Sequence, residues 1–143
     1  MSREYPRFPL VGVGALITRD DRVVLVRRGT QPAKGEWSIP GGLVNVGETL
    51  KDAVVREALE ETGLEVEPVE LLELVERIFH DDDGRVQYHY VIADFVCKVR
   101  GGNIAAGSDA LEAVWIHRDQ LRQLNLAAVT LEVILKGLGS GRE

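Results

Sequence analysis

Short apolar runs separated by polar turns recur along most of the chain, and this pattern predicts strands more often than helices. The runs that predict strands are mostly rich in β-branched and aromatic residues and fall at residues 10–18, 22–28, 37–39, 69–79, 86–99 and 112–117. The first run is apolar on both faces, which predicts a central strand covered on both sides. The run 69–79 also fits a helix because its glutamates recur every three residues, but the Asp83-Gly84 turn that follows it favours a hairpin and therefore a strand. The sequence Pro40-Gly41-Gly42 predicts a turn.

Two segments predict helices. The first begins near Leu50, after Thr49 as the capping residue, and ends at Gly63, where a glycine suits the left-handed backbone that closes a helix. The second covers residues 126–138. This order of strands and helices predicts an α/β fold with a mixed sheet between helices, formed by residues 1–143 as one domain.

The first predicted helix carries three glutamates in one patch. Glu57, Glu60 and Glu61 are separated by three and four positions, so at about 100° per residue they lie close together on the helix surface. The apolar residues that project along the same side are Leu50, Ala53 and Val54. Clustered acids on a core-facing side indicate a site for a divalent cation. The alternative is a solvated acidic face whose glutamates pair with neighbouring basic side chains.

Composition and charge restrict the class of protein. The chain has 143 residues, 45% of them hydrophobic and 28% charged, which is enough for one domain with a substantial core. With a net charge of −6 and no basic cluster beyond Arg27-Arg28, nucleic acid and anionic membranes are poor partners, whereas a small phosphorylated ligand is compatible. No apolar run reaches the roughly 20 residues of a membrane span, and the first residues lack a signal-peptide pattern, so we expect a cytoplasmic protein. The single cysteine, Cys97, lies in an apolar run and should be buried.

The first predicted helix and the loop before it match a known motif. Gly42 is followed after five residues by Glu48, and after seven more by the run Arg56-Glu57-Ala58-x-Glu60-Glu61-x-Gly63-Leu64. This spacing resembles the complete Nudix box, with every fixed position filled. The segment from Trp37 to Gly42 and the later Trp115 also resemble the family, so the resemblance covers roughly residues 8–135.

The resemblance to the Nudix hydrolases implies an α/β/α sandwich with a mixed β-sheet. It also implies hydrolysis of a nucleoside diphosphate linked to another moiety. Glu57, Glu60 and Glu61 would bind Mg²⁺ or Mn²⁺, and Glu48 would assist them. Arg56 would orient Glu57 through an ion pair. Hard divalent cations prefer carboxylate oxygens, and a bound cation lowers the pKa of the attacking water, so the chemistry of these residues agrees with the implied roles.

The general base has three candidates. Glu57 and Glu61 lie within the box, and Glu112 is the third because some family members use a glutamate on a late loop. The alternative for Glu112 is an ordinary acid at the rim of the site.

Substrate contacts are expected from residues that flank the box. The candidates are Arg27, Arg28, Trp37, Gly41, Gly42 and Tyr90. Only one of the two adjacent arginines should face the site if their strand alternates. The resemblance implies a small nucleotide substrate, with ADP-ribose as first choice and a nucleoside triphosphate or a diadenosine polyphosphate as alternatives. It is also compatible with a homodimer. A non-catalytic Nudix-like binding module is the alternative from another class, and the intact glutamates of the box argue against it.

Overall fold

A computed structural model describes residues 3–107 and 109–139 of the chain. The strands are β1 Leu10–Arg19, β2 Arg22–Arg28, β3 Trp37–Ser38, β4 Gly41–Leu43, β5 Leu64–His80, β6 Val86–Gly102 and β7 Ala110–His117. The helices are α1 Leu50–Thr62, a 3₁₀ helix Arg118–Gln123, and α2 Ala128–Gly139. The ends of the predicted domain, residues 1–143, lie outside the described residues. None of the helices within the described ranges is long and apolar enough to cross a membrane.

The sheet is mixed, as predicted, and β1 lies at its centre. β1 pairs in parallel with β6 over Leu10–Ile17, and in antiparallel fashion with β2 and with the short β4. The strand order is β3-β2-β1-β6-β5, with β4 beside β1 and β7 beside β2. A strand with neighbours on both edges and helices on both faces must be apolar throughout, which explains the composition of β1.

Two apolar clusters separate the two faces of the sheet. Alternate β1 residues Val13, Ala15 and Ile17 pack with Ala53, Val54 and Ala58 of α1. On the other face, Leu16 of β1 packs with Val133 and Ile134 of α2. The arrangement is therefore an α/β/α sandwich, as the resemblance implies. Cys97 is buried as predicted, and its burial raises the pKa of the thiol to about 12.

Side chains at the ends of α1 fix its length. The hydroxyl of Thr49 accepts a hydrogen bond from the backbone N–H of Asp52 at 3.1 Å, which is the predicted N-terminal cap. Gly63 has a φ of 76° at the C-terminal end, where a left-handed residue is needed. The predicted start and end of this helix are confirmed.

The hairpin of β5 and β6 is longer than the sequence predicts. β5 begins at Leu64 instead of residue 69, because β6 continues to Gly102 and pairs with β5 over its whole length. Pro68 is accommodated because β5 is an edge strand and its register shifts between Pro68 and Glu70. α2 begins at Ala128, two residues after the predicted start.

The prediction of a turn at Gly41-Gly42 is wrong. Both glycines belong to β4 and pair with Gly14 and Val13 of β1. They are required for a close approach, because a Cβ on Gly41 would lie 2.0 Å from the backbone oxygen of Val13. Leu50 also differs from its predicted placement: 38% of it is exposed, whereas Ala53 and Val54 are fully buried.

Candidate active site

A cavity of about 380 Å³ collects most of the predicted site residues. Those that line it are Arg27, Arg28, Gly41, Gly42, Glu57, Glu60, Glu61 and Tyr90. The predicted residues that do not line it are Glu48, Arg56, Trp37 and Glu112. Strands β1, β2, β4 and β6 and helices α1 and α2 all contribute to the walls. The glutamate patch of α1 therefore faces a cavity bordered by several elements.

Gly42 allows the carboxylate of Glu57 to lie directly against β4. A Cβ on Gly42 would be 2.5 Å from the Cδ atom and from Oε2 of Glu57, well inside van der Waals contact. The side chain of Glu57 is only 13% exposed. The glycine of the motif is thus required by the position of an acid fifteen residues later, and not by an unusual backbone angle.

Glu57 and Glu61 form a close pair of carboxyl groups. The pKa of Glu61 is raised to about 8, chiefly by burial and then by the charge of Glu57 and a hydrogen bond between the two carboxyl groups. The backbone N–H of Gly41 and the charge of Arg28 act in the opposite direction. The negative charge of Glu57 and Glu61 is therefore incompletely compensated by neighbouring groups of the protein.

Arg56 forms ion pairs with three glutamates of the box, Glu48, Glu57 and Glu60. Its Nε and Nη2 atoms donate to the two oxygens of Glu48 at 2.7 and 2.8 Å, and Nη1 donates to Glu57 at 2.7 Å. Nη1 also contacts Glu60 at 3.3 Å, and Nη2 donates to the backbone oxygen of Leu43. The hydrogen bonds from Arg56 hold the pKa of Glu48 at about 2, while Glu48 and Glu57 raise the pKa of Arg56. Arg56 thus makes the expected ion pair with Glu57, and Glu48 lies against Arg56.

The acids of the box fit a divalent cation in part. Within residues 3–107 and 109–139, no three His, Cys, Asp or Glu side chains are already gathered around one point as a cation site requires. The donor set nevertheless suits Mg²⁺, because Glu57 and Glu61 bring carboxylate oxygens together where negative charge is poorly compensated. Glu60 has a 46% exposed side chain and contacts Arg56, so it would have to turn to become a third ligand.

Both arginines of β2 line the cavity, although only one was expected to face it. The register between β2 and β7 shifts between Arg27 and Arg28, and this irregularity breaks the alternation that would have turned one of them away. Arg28 also donates from Nε to the backbone oxygen of Pro32 at 2.8 Å.

Glu112 and Trp37 lie outside the cavity lining. Glu112 is opposite Arg27 in the pairing of β2 with β7, and the two side chains form an ion pair at 3.4 Å. The side chain of Glu112 is 47% exposed. Trp37 packs against the apolar cluster beneath α2, so its ring contributes to the core.

Several polar residues of the cavity were not expected from the sequence. They are Glu36, Arg77, Asp94 and Asp109. Asp94 gave a usable signal, since it is the one charged residue within the apolar run from Val91 to Cys97. A charged residue inside a run of buried strand residues indicates a function or a buried partner.

Comparisons with known proteins agree with this arrangement. The family described as NUDIX domain matches residues 9–136. The ADP-ribose pyrophosphatase of Methanocaldococcus jannaschii is 38% identical over 116 residues, which are 81% of this chain and 66% of that protein. The human 8-oxo-dGDP phosphatase is 30% identical over 115 residues, 78% of this chain and 33% of that protein. The chain thus spans less than two thirds of each of these two relatives.

A solved structure extends the likeness to the whole fold. The MutT NUDIX hydrolase from Burkholderia pseudomallei superposes with a TM-score of 0.78 at 30% identity, and the match covers 91% of this chain and 98% of that one.

Proposed function

Because the chain belongs to the NUDIX domain family, we propose that it hydrolyses the phosphoric anhydride bond of a nucleoside diphosphate derivative. ADP-ribose, cleaved to AMP and ribose 5-phosphate, is the substrate we propose first. The observation that carries the proposal is the pair of carboxyl groups of Glu57 and Glu61 beside Gly41 and Gly42 in the cavity. The relative from Methanocaldococcus jannaschii, an ADP-ribose pyrophosphatase, supports the choice of substrate.

The glutamates of α1 would hold the cation. Glu57 and Glu61 would supply the first ligands, and Glu60 would join them after turning away from Arg56. When bound, Mg²⁺ or Mn²⁺ would neutralise the diphosphate and lower the pKa of the attacking water. Arg56 fixes the direction of the Glu57 carboxylate, and Glu48 keeps the guanidinium of Arg56 in place through two hydrogen bonds.

Two guanidinium groups would bind the phosphates. Arg27 and Arg28 both line the cavity that contains the glutamates, and planar guanidinium groups suit phosphate oxygens. Glu61 is our candidate for accepting the proton of the attacking water at its carboxylate, with Glu57 as the alternative within the box. The Glu112 carboxylate is paired with Arg27 outside the lining, so we assign it the role of orienting that arginine.

A panel of substrates tests the proposal. ADP-ribose, diadenosine polyphosphates, and normal and oxidised guanine nucleotides are incubated with Mg²⁺ or Mn²⁺, and the products are identified by chromatography. We expect ADP-ribose to give AMP and ribose 5-phosphate. Absence of turnover for every compound with either metal would contradict the hydrolase proposal and favour a binding module.

The Glu61→Gln variant tests the glutamate pair separately from the substrate. It keeps the size of the side chain but removes a carboxylate, so we expect turnover to fall by at least about 10²-fold, together with weaker Mn²⁺ binding in a spectroscopic titration. Glu65→Gln is a matched control, because Glu65 is exposed at the start of β5 and does not line the cavity. Full activity of Glu61→Gln would refute the assignment.

An oxidised guanine nucleotide is the second candidate substrate. The human relative, an 8-oxo-dGDP phosphatase, favours it. Preferential cleavage of 8-oxo-dGDP over ADP-ribose in the same panel would select this candidate. The homodimer also stays a prediction, to be tested by light scattering after size-exclusion chromatography.

A further inference from the structure

One end of the cavity carries polar groups that the proposed hydrolysis does not use. Tyr90, Ile92 and Asp94 alternate along β6, so their side chains lie on one face of the sheet, and all three line the cavity. On the neighbouring β1, Gly12 and Gly14 lie in register with Ile92 and Asp94. Because both positions lack a side chain, Asp94 can lie over Gly14 and the backbone of Gly42 can approach Gly12 closely.

Among residues 3–107 and 109–139, two buried polar atoms on the cavity lining have no hydrogen-bond partner. One is the hydroxyl of Tyr90, a residue that is only 8% exposed and so has little access to water. The other is Oε1 of Glu36, which lies 3.6 Å from Nη1 of Arg77, close enough to offset its charge but beyond hydrogen-bonding distance. Both residues line the cavity. Buried polar groups in native proteins are nearly always paired, so two unpaired atoms on residues that line one cavity point to a ligand that would reach them.

Asp94 is a third polar group on the lining of this cavity. It is 5% exposed, and its Oδ1 atom lies 2.1 Å from the position that a Cβ on Gly14 would take. Burial and then the charge of Glu73 raise the pKa of Asp94 to about 7. Near neutral pH its carboxyl group is therefore able to donate as well as accept a hydrogen bond.

Apolar side chains surround these polar groups. The side chains that form the walls are Ile39, Val75, Phe79, Ile92, Val129 and Val133. Apolar walls with a few converging polar groups suit a flat heterocycle better than a hydroxyl-rich sugar, which exposes polar groups in all directions. The Glu36 carboxylate can only accept, so the heterocycle should present a hydrogen-bond donor to it.

We propose that Tyr90, Glu36 and Asp94 recognise the amino-bearing edge of a purine base and so determine specificity at this end of the cavity. The inference rests on the proposed function, because the base can lie here only if the phosphates lie at the glutamate end. A purine with an exocyclic amine donates to the carboxylate of Glu36, and its ring nitrogen accepts from Tyr90 or from protonated Asp94. A base with a carbonyl in place of the amine would leave Glu36 unpaired.

Binding of AMP and IMP tests this recognition without requiring turnover. The two nucleotides differ in whether C6 of the purine carries an amine or a carbonyl. In calorimetric titrations with Mg²⁺ present, we expect the wild-type protein to bind AMP about tenfold more tightly than IMP. Equal affinities would overturn the proposal.

Tyr90→Phe and Tyr88→Phe form a matched pair of variants. Tyr88 stacks on Tyr90 with ring centroids 6.3 Å apart and is equally buried, but it does not line the cavity. We expect Tyr90→Phe to weaken AMP binding about fivefold and Tyr88→Phe to leave it unchanged. Equal effects of the two substitutions would contradict a direct contact of the Tyr90 hydroxyl with the base.

Substitution of the two acids tests the preference itself. Glu36→Gln keeps side-chain size but removes the carboxylate, and we expect it to reduce the AMP to IMP ratio to about twofold, whereas Asp94→Asn keeps a hydrogen-bond donor and should preserve the ratio. An unchanged ratio in Glu36→Gln, with folding verified by circular dichroism, would overturn its assignment, and loss of the preference in Asp94→Asn would contradict Asp94 as a donor. Ribose 5-phosphate tests the alternative that this end of the cavity binds the sugar. That alternative would be supported, and the recognition of a base overturned, if ribose 5-phosphate bound as tightly as AMP and lost as much affinity in Tyr90→Phe.

The outcomes separate this inference from the proposed function. Hydrolysis of ADP-ribose without any preference for AMP over IMP would overturn only the recognition of the base. A preference for AMP that depends on Tyr90, without hydrolysis of any compound in the panel, would support the recognition and contradict the hydrolase proposal.

Discussion

Substitution of Gly42 by alanine tests whether the close contact between β4 and Glu57 is required for activity. The new Cβ would lie 2.5 Å from the Glu57 carboxylate, whereas ordinary contacts begin at 3.4 Å, so the carboxylate has to move by about 0.9 Å. Glu57 cannot move freely, because Arg56 holds its Oε1 at 2.7 Å and its side chain is 13% exposed.

The expected cost has two parts. Overpacking of a filled site typically costs about 1–3 kcal/mol of folding stability. A displacement of about 1 Å at a reacting centre typically costs about 10²-fold in rate. We therefore expect Gly42→Ala to remain folded under native conditions while kcat falls by about 10²-fold on the substrate that the panel identifies.

Gly101→Ala is the matched control. Its new Cβ would also meet a carboxylate, Oε2 of Glu65, at 2.9 Å, but Glu65 is exposed and free to swing into solvent. Urea denaturation and steady-state kinetics of both variants measure the two costs separately. Wild-type kcat and KM in Gly42→Ala would refute the requirement for the contact, since the carboxylate would then function from a displaced position.

Other substitutions test the supports of the site and the fold. Arg56→Lys should lower kcat by about 10-fold or more in steady-state assays, because one ammonium group cannot donate to both Glu48 and Glu57 in the geometry of a guanidinium, and wild-type kinetics would contradict this. Gly63→Ala should cost at least about 1–2 kcal/mol in urea denaturation, because a left-handed φ of 76° disfavours a side chain, and an unchanged midpoint would contradict the cap. The pKa of Asp94 is about 7 in the folded protein against an ordinary value of 3.8, so the folded state binds the extra proton, and we expect it to lose up to about 4 kcal/mol of stability as pH rises from 4 to 7. Asp94→Asn should remove that dependence, so unfolding midpoints of wild type and variant that change in parallel between pH 5 and pH 8 would refute it.

Local sequence patterns predicted the elements well where one interaction dominates. The ends of α1 followed from Thr49 and Gly63, because a cap depends on one residue and its nearest backbone neighbours. The central position of β1 followed from its apolar composition on both faces. In contrast, Gly41-Gly42 was assigned to a turn because local propensity cannot reveal that β1 and Glu57 approach from other parts of the chain.

The residues of the site were also predictable only where local geometry decides their position. The spacing of the box brought Glu57 and Glu61 together, since helical geometry alone fixes that distance. Arg27 and Arg28 both line the cavity because the register between β2 and β7 shifts between them. No periodicity within β2 indicates that shift. Glu36 gave no signal in the sequence, because an acid in a polar loop is ordinary until the fold buries one of its oxygens.

The two ends of the cavity meet at one position of β1. Gly14 pairs with Gly41 of β4 on one side and with Asp94 of β6 on the other. A Cβ on Gly14 would collide with the Asp94 carboxyl at 2.1 Å and with Ile39 at 2.8 Å. In our proposals β4 carries the hydrolytic end and β6 the base-recognising end, so substitutions on β6 and α2 are free to change the preferred base without moving Glu57. A methyl group added at Gly14 would instead displace Asp94 and Ile39 directly.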